Sequence, residues 1–298
     1  MRFLRVLVTG HCGMIGSNVY RLLGSPQGAE ADLQSGQDLR LYGVCQGMVA
    51  SKSQVYQLAS PTVGIGYSQE HHGELFTDAS IIALNMLRAS FSAGVKRYLF
   101  VSSSCVYAET PLAVTEDSPF GPEPGNEGYG WAKRVGELQA KLLPMEVVIA
   151  RPTNIYGPSY LWNRPENQLH VIPALIRKML RGDPEIVVWG SGAQTRSFQY
   201  ESDTATLLIE LMKHGKSKEA YNLGGQEVTI RELVTLLVDY CGYQGRIVYD
   251  GTKPEGPKRK AQDITKLKAL ALEHTPEKYI MLEEGLARTV EAARKAWS

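Results

Sequence analysis

The amino terminus constrains this chain more than any other stretch. Phe3–Thr9 is a continuous apolar, β-branched run, the pattern of a strand buried on both faces. It leads without a spacer into Gly10-His11-Cys12-Gly13-Met14-Ile15-Gly16, and Val19–Leu23 follows at helical spacing. A buried strand that turns on glycines directly into a helix starts a crossover unit, and such units build parallel sheets. Glycines in the turn allow a tight reversal and close backbone approach, and the first N–H groups of the helix face an anion. Gly10, Gly13, Met14, Ile15 and Gly16 are therefore expected to cradle the pyrophosphate of a dinucleotide.

The next stretches repeat the alternation. Val55–Ala59, Arg97–Ser102 and Val147–Ala150 read as strands; Ile81–Phe91 and Trp131–Leu143 read as helices, the second stopped by Pro144. This order predicts a parallel sheet covered by helices on both faces. After Asn154 the composition shifts: residues 156–197 hold several prolines, tryptophans and glycines around one amphipathic stretch, Pro173–Leu180. Ser202–Lys213 suits a helix, Ala220–Leu223 a short strand returning to the first sheet, and Thr229–Tyr240 and Glu283–Trp297 two further helices. The expected architecture is a doubly wound parallel sheet over residues 1–155, with a return segment near 198–225. A smaller mixed α/β lobe spans residues 156–298.

Composition narrows the function classes. With 298 residues, 43% hydrophobic and 21% charged, the chain is an ordinary globular protein with ample core. Its formal charge of +1 gives no field for nucleic acid or an anionic membrane surface, and no apolar run approaches the ~18 residues of a membrane span. Cys12, Cys45, Cys105 and Cys241 are scattered without zinc-ligand spacing, and His71-His72 has no partners and reads as loop, so no metal is expected. Reduced thiols and a start lacking a cleavage site point to the cytoplasm.

Chemistry is carried by a short set of side chains. A carboxylate for the dinucleotide's ribose belongs at the end of the second strand; Asp32 is the candidate and Glu30 its competitor. No arginine stands there to take a 2′-phosphate, which tilts the cofactor toward NAD and leaves NADP open. Leu58 and Ala59, at the end of Val55–Ala59, join the cofactor set. Tyr129 and Lys133 lie four residues apart on one helix face, where the ammonium is expected to lower the phenol's pKa and fit it for proton exchange with a hydroxyl or carbonyl. Ser103, at the carboxyl end of a parallel strand, can hold the same oxygen.

The ordered set resembles the extended short-chain dehydrogenases/reductases of the nucleotide-sugar epimerase and dehydratase family, nearly end to end. The glycine loop has that group's G-x-x-G-x-x-G spacing, and Arg151-Pro152-Thr153-Asn154-Ile155-Tyr156-Gly157-Pro158 matches its R-P-x-N-x-Y-G-P junction. The resemblance implies a Rossmann-type fold, a nicotinamide dinucleotide, a nucleotide-diphosphate sugar as substrate and a homodimer. It implies that Asn154 meets the sugar nucleotide. Gln37-Asp38-Leu39-Arg40 resembles the family's D-L-R turn, which makes Asp38 and Leu39 adenine contacts.

Within the family, Ser102-Ser103-Ser104-Cys105-Val106-Tyr107 discriminates. The 4,6-dehydratases carry Thr-Asp-Glu from the position of Ser103, and this chain lacks that acidic pair. Cys105 instead resembles the acid/base cysteine of GDP-L-fucose synthase and GDP-mannose 3,5-epimerase, able to act as thiolate beside cations. Pro165–Leu175 resembles the P-E-N-x-H-V-I-P-A-L segment of the fucose synthases, which implies His170 as partner acid, protonating near neutrality, and Val171 at the substrate. The segments Val188–Phe198 and Lys253–Lys260 match two more, implying Arg196 at the nucleotide and Arg259 as a diphosphate clamp. Cys12 stands where fucose synthases have an arginine for NADP, and Val63-Gly64-Ile65-Gly66-Tyr67 is closer to the NAD-retaining 3,5-epimerase, whose lysine near Asn163 is absent.

These features imply C3/C5 epimerisation and/or 4-keto reduction through a 4-keto hexose. A simple 4-epimerase that retains NAD is the alternative, and a non-catalytic dinucleotide or sugar-nucleotide sensor is the reading from another class.

Overall fold

The computed structural model describes residues 5–297 apart from 111, 125, 160–161 and 254–256. Phe3 and Leu4 of the first expected strand, and Pro254, Glu255 and Gly256 of the basic turn, lie outside the described residues. In chain order the first half runs β1 (Val6–Thr9), α1 (Met14–Leu22), β2 (Glu30–Ala31), α2 (Tyr42–Val49), β3 (Gln54–Gln57), α3 (Ile65–Glu70), α4 (His72–Ser92), β4 (Arg97–Val101), α5 (Glu127–Leu142) and β5 (Glu146–Pro152). The second half runs β6 (Asn154–Tyr156), α6 (Val171–Arg181), β7 (Glu185–Trp189), β8 (Thr195–Tyr200), α7 (Glu201–His214), β9 (Ala220–Gly224) and β10 (Gln226–Thr229). It closes with α8 (Ile230–Cys241), β11 (Arg246–Asp250), β12 (Arg259–Lys260), α9 (Thr265–Lys268) and α10 (Leu282–Trp297).

The main sheet is parallel throughout, in the order β2-β1-β3-β4-β5-β9. Its central strands are largely apolar on both faces because they feed two cores, with the buried Gln57, Arg151 and Asn222 as polar exceptions. Leu7, Tyr98, Phe100, Val147 and Ile149 face one core, under α4 and α5. Their neighbours Val6, Val8, Leu99, Val101, Val148 and Ala150 face the other, under α1 and α7. The chain is thus a doubly wound α/β fold of Rossmann type.

A second core gathers Ile172, Ile176, Phe198, Leu233, Leu237 and Leu286 from α6, β8, α8 and α10. The sheets of this half are β10-β8-β12, with β6 also on β8, and the parallel pair β7–β11. The chain changes sheets between β5 and β6 at Thr153, and again between β9 and β10 at Gly225. A groove opens where these crossings occur, at the carboxyl ends of the main strands.

One local expectation holds only in part. His71 is the single residue between α3 and α4 and stacks on Tyr67 with ring centroids 3.7 Å apart, whereas His72 is not loop but opens α4, nine residues before Ile81. The first two turns of α4 bury only Leu75, Ala79 and Ser80, too few apolar contacts to mark a helix in sequence. The segment between Gly24 and Ala50 forms β2 and α2, pinned by the Cys45 thiol donating to the Leu39 carbonyl at 3.1 Å.

Candidate active site

The dinucleotide end of the groove is made of backbone. Gly10 sits at φ +71°, and a Cβ there would stand 2.9 Å from the Ala59 nitrogen. A Cβ on Gly16 would overlap the Gly10 carbonyl oxygen, so the start of α1 can lie on the strand end only as glycine. Thr9 Oγ1 accepts from the Leu58 and Ala59 N–H groups, each at 3.1 Å, and locks the exit of β3 beside the loop. Asp32 follows β2 and caps a short turn: its carboxylate accepts from Cys12 N at 3.1 Å and Gln34 N at 2.9 Å. This fixes it against the glycine loop, as a ribose ligand requires. Glu30 lies inside β2 and lines no part of the groove.

His11, Cys12 and Asp32 also bring donor atoms within 4.8 Å of one another, but the Asp32 oxygens are already engaged in the turn. Asp38 accepts from Arg40, which reaches Asp78 as well, so the arginine of the D-L-R turn is neutralised by two carboxylates.

The middle of the groove is a turn beneath a helix. Ser103 leaves β4 and its hydroxyl accepts from Cys105 N at 3.1 Å, which holds the Ser103–Cys105 turn. Three glycines bring α5 onto this region: Cβ atoms on Gly128, Gly130 and Gly136 would strike His72 O, Cys105 O and the Phe100 ring. That approach carries Tyr129 and Lys133 to the turn. Lys133 donates to Val101 O at 2.9 Å and lies 5.2 Å from the centroid of the Tyr129 ring.

The electrostatics correct the sequence reading. The Tyr129 phenol is raised, not lowered, chiefly by burial and then by Cys105, with Ser60 acting the other way. Lys133 is pushed down to about 8 by burial, against the pull of Cys105 and Glu137. The physical reason is placement, since the ammonium sits over the ring face and bonds a carbonyl rather than the phenol oxygen.

Beneath the turn lies a buried polar network that the sequence reading did not assign. Arg151 grips Glu137 with bonds of 2.9 and 2.6 Å and donates to the Tyr107 hydroxyl at 2.6 Å. Ser102 donates to Glu137 at 2.5 Å, and Tyr107 donates to Asn222 at 2.8 Å. The signal was the arginine of the R-P-x-N junction, a charge inside an apolar strand.

At the far end, the expected substrate ligands are present but engaged. Asn154 donates to Ser197 O at 2.9 Å, and Arg196 donates to Thr195 O and Pro257 O at 2.7 Å each. Arg259 is held by both oxygens of Glu227, at 2.8 and 2.9 Å, so a phosphate reaching it would have to displace that ion pair. Val171, at the start of α6, faces the groove. His170 occupies the N-cap position of α6 and is exposed on the groove; partial desolvation by the groove wall and then the Arg164 guanidinium lower its imidazole, to about 4 rather than near neutrality. Cys105 receives a hydrogen bond from Lys260 Nζ at 3.4 Å, a partner that no sequence spacing announced.

All the expected site residues other than Glu30 line this one groove, of about 1480 Å³. Residues 6–224 match the model of the NAD dependent epimerase/dehydratase family. The chain is 34% identical to a putative GDP-L-fucose synthase 2 of Arabidopsis thaliana, covering 96% of this chain and 90% of that protein. It is likewise 34% identical to the GDP-L-fucose synthase of Escherichia coli K12, covering 96% and 95%. A crystal structure of UDP-glucose 4-epimerase from Thermotoga maritima with UDP-glucose superposes at a TM-score of 0.84 and 25% identity, over 98% of this chain and 99% of that one. With the glycine cradle, the Asp32 turn and the Ser103–Tyr129–Lys133 wall on one groove, the chain belongs to the NAD dependent epimerase/dehydratase family.

Proposed function

We propose that this protein is an NAD-dependent enzyme that epimerises a nucleotide-diphosphate hexose at C3 or C5 through a C4 ketone. The observation that carries this is the convergence of two sets on one groove. Ser103, Tyr129 and Lys133 suit a hydroxyl–carbonyl exchange; Cys105 and His170 suit proton transfer at carbon. The glycine cradle and Asp32 fit a dinucleotide, and the absence of arginine beside Asp32 favours NAD. When bound, the nicotinamide supplies a hydride acceptor and, oxidised, a positive charge beside the phenol.

Ser103 and Tyr129 bind the C4 oxygen, and Tyr129 takes its proton as the phenolate, a form that burial by itself disfavours. Lys133, poised near 8, steadies that proton transfer. Cys105 then takes a proton from the carbon beside the ketone; the electron pair moves to the C4 oxygen, which Ser103 and Tyr129 hold as an enolate. His170 returns a proton from the opposite face once the anionic diphosphate has raised its pKa from about 4. Kinship with the fucose synthases favours a second reading, in which the 4-keto product is also reduced. The exposed Phe76 and Phe91 of α4 and Leu138 and Leu142 of α5 support a homodimer across these two helices. The four unbridged cysteines suit the cytoplasm.

The test is to identify the dinucleotide carried through purification, then follow GDP-, UDP- and dTDP-sugars in deuterated water by NMR. Wild type is expected to wash deuterium into C3 or C5. Tyr129→Phe should lose all turnover, and Cys105→Ser should keep hydride transfer while losing wash-in. Turnover without any wash-in leaves the 4-epimerase.

A further inference from the structure

β12 is two residues long, and its side chains point to opposite faces. Arg259 turns toward β10 and is saturated by Glu227. Lys260 turns the other way, into the groove, and its ammonium donates to Cys105 Sγ at 3.4 Å. Among the described residues no carboxylate pairs with Lys260, although the arginine beside it has one. The backbone that carries Lys260 is fixed at both ends. Arg259 and Lys260 pair with Thr195 and Arg196 of β8. Just beyond, Ala261 O accepts from Val114 N at 3.1 Å, and Gln262 donates to Arg151 O and Asn222 Oδ1 at 2.9 Å each. The same Arg151 network supports the turn that bears Cys105. Both partners are therefore held on one hydrogen-bonded base, 155 residues apart in sequence.

We propose that Lys260 is the positioning residue that holds the sulfur of Cys105 as an aimed thiolate in the groove. Tyr129 and Lys133, both from α5, are the groups on which Cys105 acts electrostatically. Lys133 is committed to the Val101 carbonyl, so Lys260 is the cation whose bond ends on the sulfur. This deepens the proposed function, on which Cys105 takes a proton from carbon. The proton leaves the carbon beside the ketone and bonds to sulfur, the electron pair goes to the ketone oxygen, and Lys260 remains an ammonium throughout. An ammonium that stabilises the thiolate before the transfer also orients its lone pair toward the groove.

The test reads the thiol without any sugar. Iodoacetamide alkylation of Cys105 is followed by mass spectrometry from pH 6 to 10 in wild type, Lys260→Met and Lys260→Arg, with half-exposed Cys12 as the internal standard. In Lys260→Met the midpoint pH for Cys105 is expected to rise by on the order of one unit, and alkylation at pH 7 to fall about tenfold. Cys12 should keep its rate, showing that the fold is intact, and Lys260→Arg should restore most of the Cys105 reactivity. An unchanged midpoint in Lys260→Met with an intact fold overturns the proposal. So does an equal loss in Lys260→Arg. If Lys260→Met fails to fold, the wild-type midpoint decides: a value at or above that of an unperturbed thiol, ~8.5, overturns the proposal. Deuterium wash-in is a separate readout, so a shifted midpoint with unaltered wash-in upholds the ion pair and refutes the role of Cys105 as base.

Discussion

The two ends of the groove are built on different principles. At the dinucleotide end the surface is backbone, locked by Gly10 at positive φ, by Gly16 under the Gly10 carbonyl and by the Thr9 hydroxyl bonds. At the sugar-nucleotide end the surface is long side chains with partners already in place: Arg259 on Glu227, Arg196 on two carbonyls, Asn154 on Ser197. A ligand meets a finished cradle at one end, whereas at the other it must exchange partners. Shape sets affinity in the first case, and in the second the difference between two sets of hydrogen bonds does.

The buried Arg151–Glu137 pair sits beneath both regions and is expected to give the largest effect. Arg151→Met leaves the Glu137 carboxylate buried without its cation, a loss of about 3–5 kcal/mol by chemical denaturation. Replacing both, as Arg151→Met with Glu137→Leu, should recover most of it, because the uncompensated charge is gone. A single variant that costs under about 1 kcal/mol would mean that water reaches the pair.

Next in size is the cradle itself. Gly16→Ala should abolish measurable NAD binding and lower stability by about 1–3 kcal/mol, since the new methyl meets backbone that cannot give way. Gly47→Ala, on the exposed side of α2 with open space around it, should leave binding intact and raise stability by up to ~1 kcal/mol. Calorimetric titration with NAD on both variants checks the pair; equal binding would break the distinction drawn between the two ends.

The same contrast governs what could be read from sequence. The Rossmann sheet was legible because its central strands carry apolar runs and the glycine loop allows one geometry. Tyr129 and Lys133 were legible by their spacing on one helix, and Cys105 only by resemblance to the family's acid/base cysteine. The partners were not: Glu227 reaches Arg259 over 32 residues, and Lys260 reaches Cys105 over 155. Ion pairs across such separations leave no periodic trace. Nor does burial of a polar side chain, and for that reason the phenol shift ran opposite to the expectation from its neighbour along the helix, while the imidazole falls below neutrality. The β2 and α2 segment buries few side chains, with Cys45 and Val49 the buried pair of the helix.

If partner exchange governs the sugar-nucleotide end, loosening a partner should help the ligand. Glu227→Gln keeps the shape but withdraws the charge that holds Arg259, so GDP is expected to bind more tightly, by a few-fold at most for an exposed pair. Arg259→Ala should weaken GDP in the same titration. Weaker binding in both variants would make the Glu227–Arg259 pair a fixed wall and place the phosphate contact elsewhere.

The smallest effect sharpens the comparison through pH. His170 is lowered to about 4 in the folded chain against its ordinary 6.5, by partial desolvation against the groove wall and by Arg164. Between those values the unfolded chain binds a proton that the folded chain does not, so this residue's contribution to stability is present above pH 6.5 and is lost as pH falls toward 4. His170→Gln should therefore show a flatter stability–pH curve than wild type over that window and a parallel curve above it. The ring opens onto the groove, so the difference is small. GDP should move it: an anionic diphosphate nearby favours the imidazolium, and the His170 ring signals in NMR should titrate at higher pH with GDP than without. Identical titration in both states would detach His170 from the sugar-nucleotide end and leave it a capping residue of α6, whereas a rise would show that the ligand itself tunes the acid it needs.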